Sequence, residues 1–232
     1  MLSNWLASPD VVEAISIIQA EFPLAIWETV YITVLSSFFA FVIGLPIGVL
    51  LVVGEKGNIL PLPKPVLSIL NTIINLLRSI PFLILMILVF PLTRRIMGTV
   101  VGTLPTTVPL VIATFPFVAR LVEASLREIN PDTVEMAQSM GASPFQIITK
   151  VLLVESVPSI ISNITITVTN VLGYSAMSGI IGGGGLGKIA INYGYYRYKD
   201  LVMICAVILL IILVQLFQTA GTRLAAKSDK RN

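Results

Sequence analysis

Charged residues along the chain gather into short patches, and long uncharged, mostly apolar runs lie between them. Thr29 to Gly54 holds 26 residues without a charge, Ile96 to Ala119 holds 24, Ser156 to Gly187 holds 32 and Leu201 to Thr222 holds 22. A helix needs about 20 residues to cross a hydrocarbon layer of about 30 Å, so each run is long enough for one crossing. A fifth crossing is expected over Leu67 to Pro91, which is apolar apart from Arg78 and a few amides and almost purely aliphatic from Ile80 to Phe90. The pattern predicts an all-α integral membrane protein with five transmembrane helices, at about 29–53, 67–91, 106–129, 156–177 and 201–222, in one domain covering 1–232.

The punctuation between these runs is specific. Residues 1–28 read as a short, mildly acidic outer lead-in lying at the interface, without the basic start of a signal peptide, so the first span is expected to be retained. Gly44, Pro46 and Gly48 would bend helix 1 or let a neighbour approach closely. Pro61, Pro63 and Pro65 delay helix 2. Helix 3 runs past the membrane, because Glu123 and Arg127 form an i, i+4 pair on its extension, and Pro131 ends it. Segment 131–150 is the longest polar connection. Asp132 suits the first turn of a new short helix, and Val134, Ala137, Gln138 and Gly141 fall on one narrow stripe of it.

Composition sharpens this picture. The chain of 232 residues is 56% hydrophobic and only 12% charged, against about 25% charged in a soluble domain. It has no histidine and a single cysteine, Cys205, which leaves out disulfides and the usual zinc, haem and histidine-based catalytic sites. The basic residues decide orientation. Lys56, Lys64, Arg120, Arg127, Lys150, Arg223, Lys227, Lys230 and Arg231 fall on one side, and Arg94, Arg95, Lys188, Arg197 and Lys199 on the other. The excess places the N-terminus outside and the C-terminus in the cytoplasm. No clustered basic and aromatic face suggests nucleic acid.

Three patterns carry candidate chemistry. Gly182, Gly187 and Lys188 satisfy G-x-x-x-x-G-K, but Ile189 stands where a phosphate-binding loop needs Ser or Thr, and the segment follows a membrane span. Gly182, Gly183, Gly184 and Gly185 read instead as a flexible connector or gate, or as a loop of no special role. Ser159, Asn163, Thr167, Asn170, Tyr174 and Ser178 recur every three or four residues and form one polar stripe along helix 4. Such a stripe either lines a water-filled solute path or supplies interhelical hydrogen bonds. A shorter stripe on helix 2 joins Asn71, Asn75 and Arg78, with Arg78 expected near the cytoplasmic side or facing the bundle interior.

Glu135, Met136 and Ala137, then Gly141, then Val151 and Leu153 resemble the E-A-A loop of bacterial ABC importer permeases. Met136 replaces an alanine, Val151 an isoleucine, and Val154 the final proline. Residues 78–82 (RSIPF), 173–179 (GYSAMSG), the glycine run and Tyr193 to Tyr196 are similar to the methionine importer permease branch. The resemblance runs from about Trp27 to the tail. It implies a cytoplasmic coupling helix between helices 3 and 4, with Glu135, Ala137, Gly141 and Ala142 docking a separate ATPase. It also implies a homodimer with two ATPase subunits, an external solute-binding protein, and transport of an amino acid by alternating access in a bacterial inner membrane. ATP and Mg would sit on the partner, with no cofactor and no catalytic residue on this chain. An importer for another small solute and a subunit of a passive pore are the alternatives.

Overall fold

No charge or turn signal strong enough to stop a helix separates the lead-in from the first span, and the two form one helix. In the computed structural model, which describes residues 9–228, α1 runs from Pro9 to Val53, 45 residues without a break. At 1.5 Å per residue it is about 68 Å long, roughly twice what one crossing needs. The expected outer lead-in of 1–28 is therefore, from Pro9 onward, the first part of α1. It is packed on one side: Ala14, Phe22 and Ala25 are buried in a cluster with Leu186, Ile189, Val202 and Ala206. Pro23 and Pro46 lie within α1, as membrane helices allow when neighbours satisfy the freed carbonyls.

The expected second span at 67–91 is not one helix. It is α2 (Lys64–Ser79), α3 (Phe82–Leu88) and α4 (Phe90–Met97). Ile80, the residue before Pro81, is extended, with φ −83° and ψ 127°, the conformation that a following proline ring imposes. Pro91 starts α4 without needing its missing N–H. α5 (Thr107–Arg127), α6 (Pro131–Ser139), α7 (Val157–Ser178), α8 (Gly185–Ile189) and α9 (Asp200–Ser228) follow. Between α6 and α7 lie a short helix Pro144–Gln146, a π-helical turn Ile147–Leu152 and a turn of helix Leu153–Glu155. Among the described residues four helices are long and apolar enough to cross a membrane, and a fifth span results if α2 and α3 are counted as one broken crossing.

The chain divides into two compact units, with boundaries inside α1, α5, α7 and α9 and at Pro81. The first contains residues up to Ser36, Phe82–Leu110 and Val168–Phe217, and is centred on the cluster around Phe22 and Leu186. The second contains Ser37–Pro81, Val111–Thr167 and the tail from Gln218. Its core is Ala40, Val49, Val52 and Val53 of α1 against Val118, Val122 and Leu126 of α5, closed by Ile147 and Leu152. A Cβ on Gly44 would lie 2.7 Å from that of Val118, and one on Gly48 would lie 2.6 Å from the Ala119 carbonyl. Close approach to α5, rather than bending, is thus what these two glycines provide.

Candidate functional site

α6 is bounded on both sides by complete capping chemistry. Asn130 accepts from the Asp132 N–H at 3.0 Å, with Pro131 at the first helical position. At the other end the Gly141 N–H donates to the Gln138 carbonyl at 2.9 Å and the Ala142 N–H to the Ala137 carbonyl at 3.1 Å, the paired bonds of a Schellman motif. Gly141 sits at φ +79°, and a Cβ there would meet nothing within 4 Å. Its role in this chain is conformational. Ser143 and Gln146 then form a reciprocal capping box that starts the next turn. That S-x-x-Q spacing is a signal the sequence carries.

The faces of α6 differ from a helix presenting small residues to a partner. Ala137 and Ala142 pack with Val134 against the core of their own unit. Glu135 is exposed and, with Val134 and Gln138, lines a groove of about 470 Å³ whose other wall includes Asn58, Ile59 and Arg127. The side left open is apolar and bulky: Met136, Met140 and Phe145 are 61%, 83% and 74% exposed.

Below this element lies a charged network, of which only the Glu123–Arg127 pair was visible in the sequence. Arg120 donates to Glu123 at 2.6 Å, and to the amide oxygens of Asn71 at 2.8 Å and Asn75 at 2.9 Å. Arg127 in turn bonds Glu123 and, at 2.8 Å, Glu55. The Arg127 hydrogen bond holds the Glu55 carboxyl below its usual range. Asn71 and Asn75 are therefore partners of Arg120, while Arg78, the third member of their stripe, is exposed.

The stripe on α7 meets different surroundings in each unit. In the second unit, Asn163 is buried and donates to the Leu121 carbonyl at 3.0 Å and to the Ser125 hydroxyl at 2.7 Å. Ser125 also bonds Ser159 at 2.6 Å. These are interhelical hydrogen bonds to α5. Thr167 is fully buried. Ser159 lines a polar cleft of about 450 Å³ with Glu128, Glu155, Ser162 and Thr222. In the first unit, Tyr174 stacks on Phe82 with ring centroids 4.4 Å apart, Ser178 donates to the Ser175 carbonyl at 2.6 Å, and Asn170 is half-buried.

The glycine run, read in the sequence as a flexible connector or gate, is tightly packed. Gly183 and Gly185 are buried, and Gly182 and Gly184 are half-buried. The Gly182 carbonyl accepts from the Gly102 N–H at 2.9 Å. Glu28 holds the next residues: one carboxylate oxygen accepts from the Gly185 N–H at 2.7 Å, the other from the Thr103 hydroxyl at 2.7 Å. Thr29 adds a bond from the Leu186 N–H at 2.9 Å. A Cβ on Gly184 would collide with Thr103 and Glu28, and Gly185 lies at φ +81° against the Thr29 hydroxyl. Only residues without a Cβ let the backbone reach that carboxylate. Beyond α8, Tyr193 bonds Glu21 at 3.2 Å beneath the Arg197 guanidinium, and burial, then Glu21, raises its phenol above the ordinary value. Among the described residues no group of acidic, cysteine or histidine side chains could hold a metal.

Residues 44–227 match the family of binding-protein-dependent transport system inner membrane components. The probable D-methionine transport system permease protein MetI of Vibrio cholerae is 45% identical over 207 residues, 89% of this chain and 92% of that one. The D-methionine transport system permease protein MetI of Escherichia coli K12 is 47% identical over 154 residues, 66% of this chain and 70% of its own length. A solved chain of the MetNI methionine ABC transporter, in an inward-facing conformation, superposes with a TM-score of 0.89 at 44% identity, covering 92% of this chain and 98% of that one. A membrane chain of apolar helices that matches the family model over most of its length belongs to the binding-protein-dependent transport system inner membrane components.

Proposed function

We propose that this chain is the permease subunit of an ATP-driven importer of methionine in a bacterial cytoplasmic membrane. It works as a homodimer with two ATPase subunits that carry the ATP and Mg, and receives solute from an external binding protein. The observation that carries the reading is the 44% identity and TM-score of 0.89 across 98% of the matched methionine-transporter chain. The chain has five crossings, α2 and α3 together making the broken one, with Met1 outside and Asn232 in the cytoplasm. α6 is the coupling helix: Gly141 sets its exit direction, Ala137 and Ala142 seat it, Glu135 edges its groove, and Met136, Met140 and Phe145 meet the ATPase. Asn163, Thr167, Asn170, Tyr174 and Ser178 follow the solute path, and Gly182 to Gly185 gate its end. The chain contributes different stabilities of inward-open and outward-open states, which its partners bias.

The test is to purify the tagged chain from its source membrane with whatever ATPase accompanies it, reconstitute the complex in liposomes, and follow labelled methionine. Uptake that needs both ATP and the external binding protein is expected. Flux without ATP would mean a passive pore, and ATP-driven uptake of a different solute would sink the methionine assignment. A cytoplasm-only reporter fused after Lys227 should be active and one after Lys188 silent, and the reverse would overturn the orientation.

A further inference from the structure

Arg78 is the one charge between Lys64 and Arg94, and it lies deep in the broken crossing. At 1.5 Å per residue it stands about 21 Å along α2 from Lys64, and the aliphatic run from Ile80 to Phe90 follows it. On α2 it shares a face with Asn71, Ile74 and Asn75. One turn earlier that face is engaged: Ile74 is fully buried in a cluster with Leu51 and Ala119, and Asn71 and Asn75 bond Arg120. At the end of α2 it opens, and Arg78, Ser79 and Pro81 are all exposed. Among the described residues the Arg78 guanidinium makes no ion pair or hydrogen bond.

The chain does not supply its counter-charge. Glu123 and Glu55 neutralise Arg120 and Arg127, and Glu128, Asp132, Glu135 and Glu155 all lie between α5 and α7. A second copy brings the same sequence, in which the runs 29–54, 96–119, 156–187 and 201–222 hold no carboxylate, so it has none to offer at that depth either. A guanidinium turned to hydrocarbon is costly, and a backbone break at membrane depth is tolerated where it lines water or protein. The unpaired carbonyls at the end of α2 favour a cation there, which accounts for a positive charge at the break but leaves the outward N–H donors of Arg78 unmatched. A planar guanidinium fork fits the two oxygens of a carboxylate. We propose that Arg78 pairs with the α-carboxylate of the solute as it crosses, and so is a specificity-determining residue that favours solutes carrying a carboxylate. This inference rests on the importer function proposed for the chain.

The full complex, reconstituted in liposomes with its ATPase and the external binding protein, would be assayed for methionine uptake and for ATP hydrolysis stimulated by the binding protein. Arg78→Gln should cut uptake about ten-fold while stimulated ATP hydrolysis and the unfolding temperature stay at wild-type values. Arg78→Lys should keep part of the uptake, and Arg95→Gln, which removes an exposed charge elsewhere, should change nothing. In a Cys205→Ala background, Arg78→Cys should be as slow as Arg78→Gln and should react with aqueous aminoethyl methanethiosulfonate. That reaction releases methanesulfinate and leaves a disulfide-linked ammonium in place of the guanidinium, so part of the uptake should return. Methyl methanethiosulfonate, which forms the same bond without a charge, should restore nothing. A wild-type complex that takes up no methionine with ATP and binding protein would sink the importer function and this inference with it. With wild-type uptake intact, the inference alone fails if Arg78→Gln transports as the wild type does, or if its ATP hydrolysis or melting falls together with uptake, which would assign Arg78 a structural role. It also fails if Arg78→Cys reacts only with a lipid-soluble reagent, which would place position 78 against lipid.

Discussion

Each unit of the molecule is organised around a carboxylate of α1 or α5, and the two are satisfied by opposite means. In the first unit Glu28 accepts from a backbone N–H and a hydroxyl, 157 and 75 residues away in the chain, with no cation paired to it among the described residues. In the second, Glu123 sits between Arg120 and Arg127, three and four residues away on the same helix. The Glu28 arrangement relies on distance and direction, so it demands glycine at 184 and 185 where the backbone must come close. The Glu123 arrangement relies on charge, which tolerates small displacements but weakens when salt screens it. A membrane protein thus fixes one region by shape and another by electrostatics.

The largest expected effect is at Gly185. Gly185→Val must hold a β-branched residue at φ +81° with its Cβ against Thr29, a combination expected to destabilise by about 3 to 5 kcal/mol. The purified variant should show a much lower unfolding temperature or fail to accumulate in membranes. Wild-type melting would mean that the backbone approach to Glu28 is not required.

Next come the carboxylates themselves. Glu28→Ala leaves two donors without an acceptor, a loss of about 1 to 3 kcal/mol that high salt should not alter. Glu123→Ala leaves two arginines without their shared carboxylate. Because Arg127 is nearly half exposed, the loss should be about 2 kcal/mol and should shrink as salt rises. Melting both variants at low and high ionic strength tests the contrast directly. Equal salt responses would break it.

Asn163→Leu should cost about 1 to 2 kcal/mol, since it removes bonds to Leu121 and Ser125 and leaves that carbonyl and hydroxyl to find other partners. Asn170→Leu, in the other unit, has no such anchor to lose. If the α7 stripe serves the solute path throughout, both variants slow uptake, and only Asn163→Leu also lowers stability. Equal stability of the two would falsify the division of roles along the stripe.

The smallest effect concerns acid. Glu55 has its pKa lowered by the Arg127 hydrogen bond, so the pair contributes at pH above the ordinary carboxylate value and is lost as pH falls through the depressed one. Both side chains are about half exposed, which keeps the contribution small. Glu55→Gln should abolish a slight excess loss of stability at acid pH and change nothing near neutrality, as read from melting temperature across pH.

Much of α6 was legible: Pro131, Asp132 and Gly141 mark its ends, and each acts through bonds made within a few residues. Its orientation was not. Ala137 turned inward and Met136 outward because Val134, Ala137 and Ala142 found the core formed by α1 and α5, which no local pattern announces. The break at Ile80 could have been read from Pro81, but a nearly pure aliphatic run outweighed it. The glycine run was legible as special, but its close packing was not, because flexibility and close packing select the same residue.

What the sequence by itself determined is the set of apolar lengths that must leave water and the points where proline, glycine and charge interrupt them. Those are local and nearly additive, since each residue's transfer to hydrocarbon depends little on its distant neighbours. Only the tertiary structure decided what each polar residue does: that Asn71 and Asn75 serve Arg120, that Asn163 binds α5, and that Glu28 clasps Gly185. A hydrogen bond is short and directional, so its partner is whichever segment the packing brings within 3 Å, and a periodic stripe of polar residues reveals the need for partners without naming them.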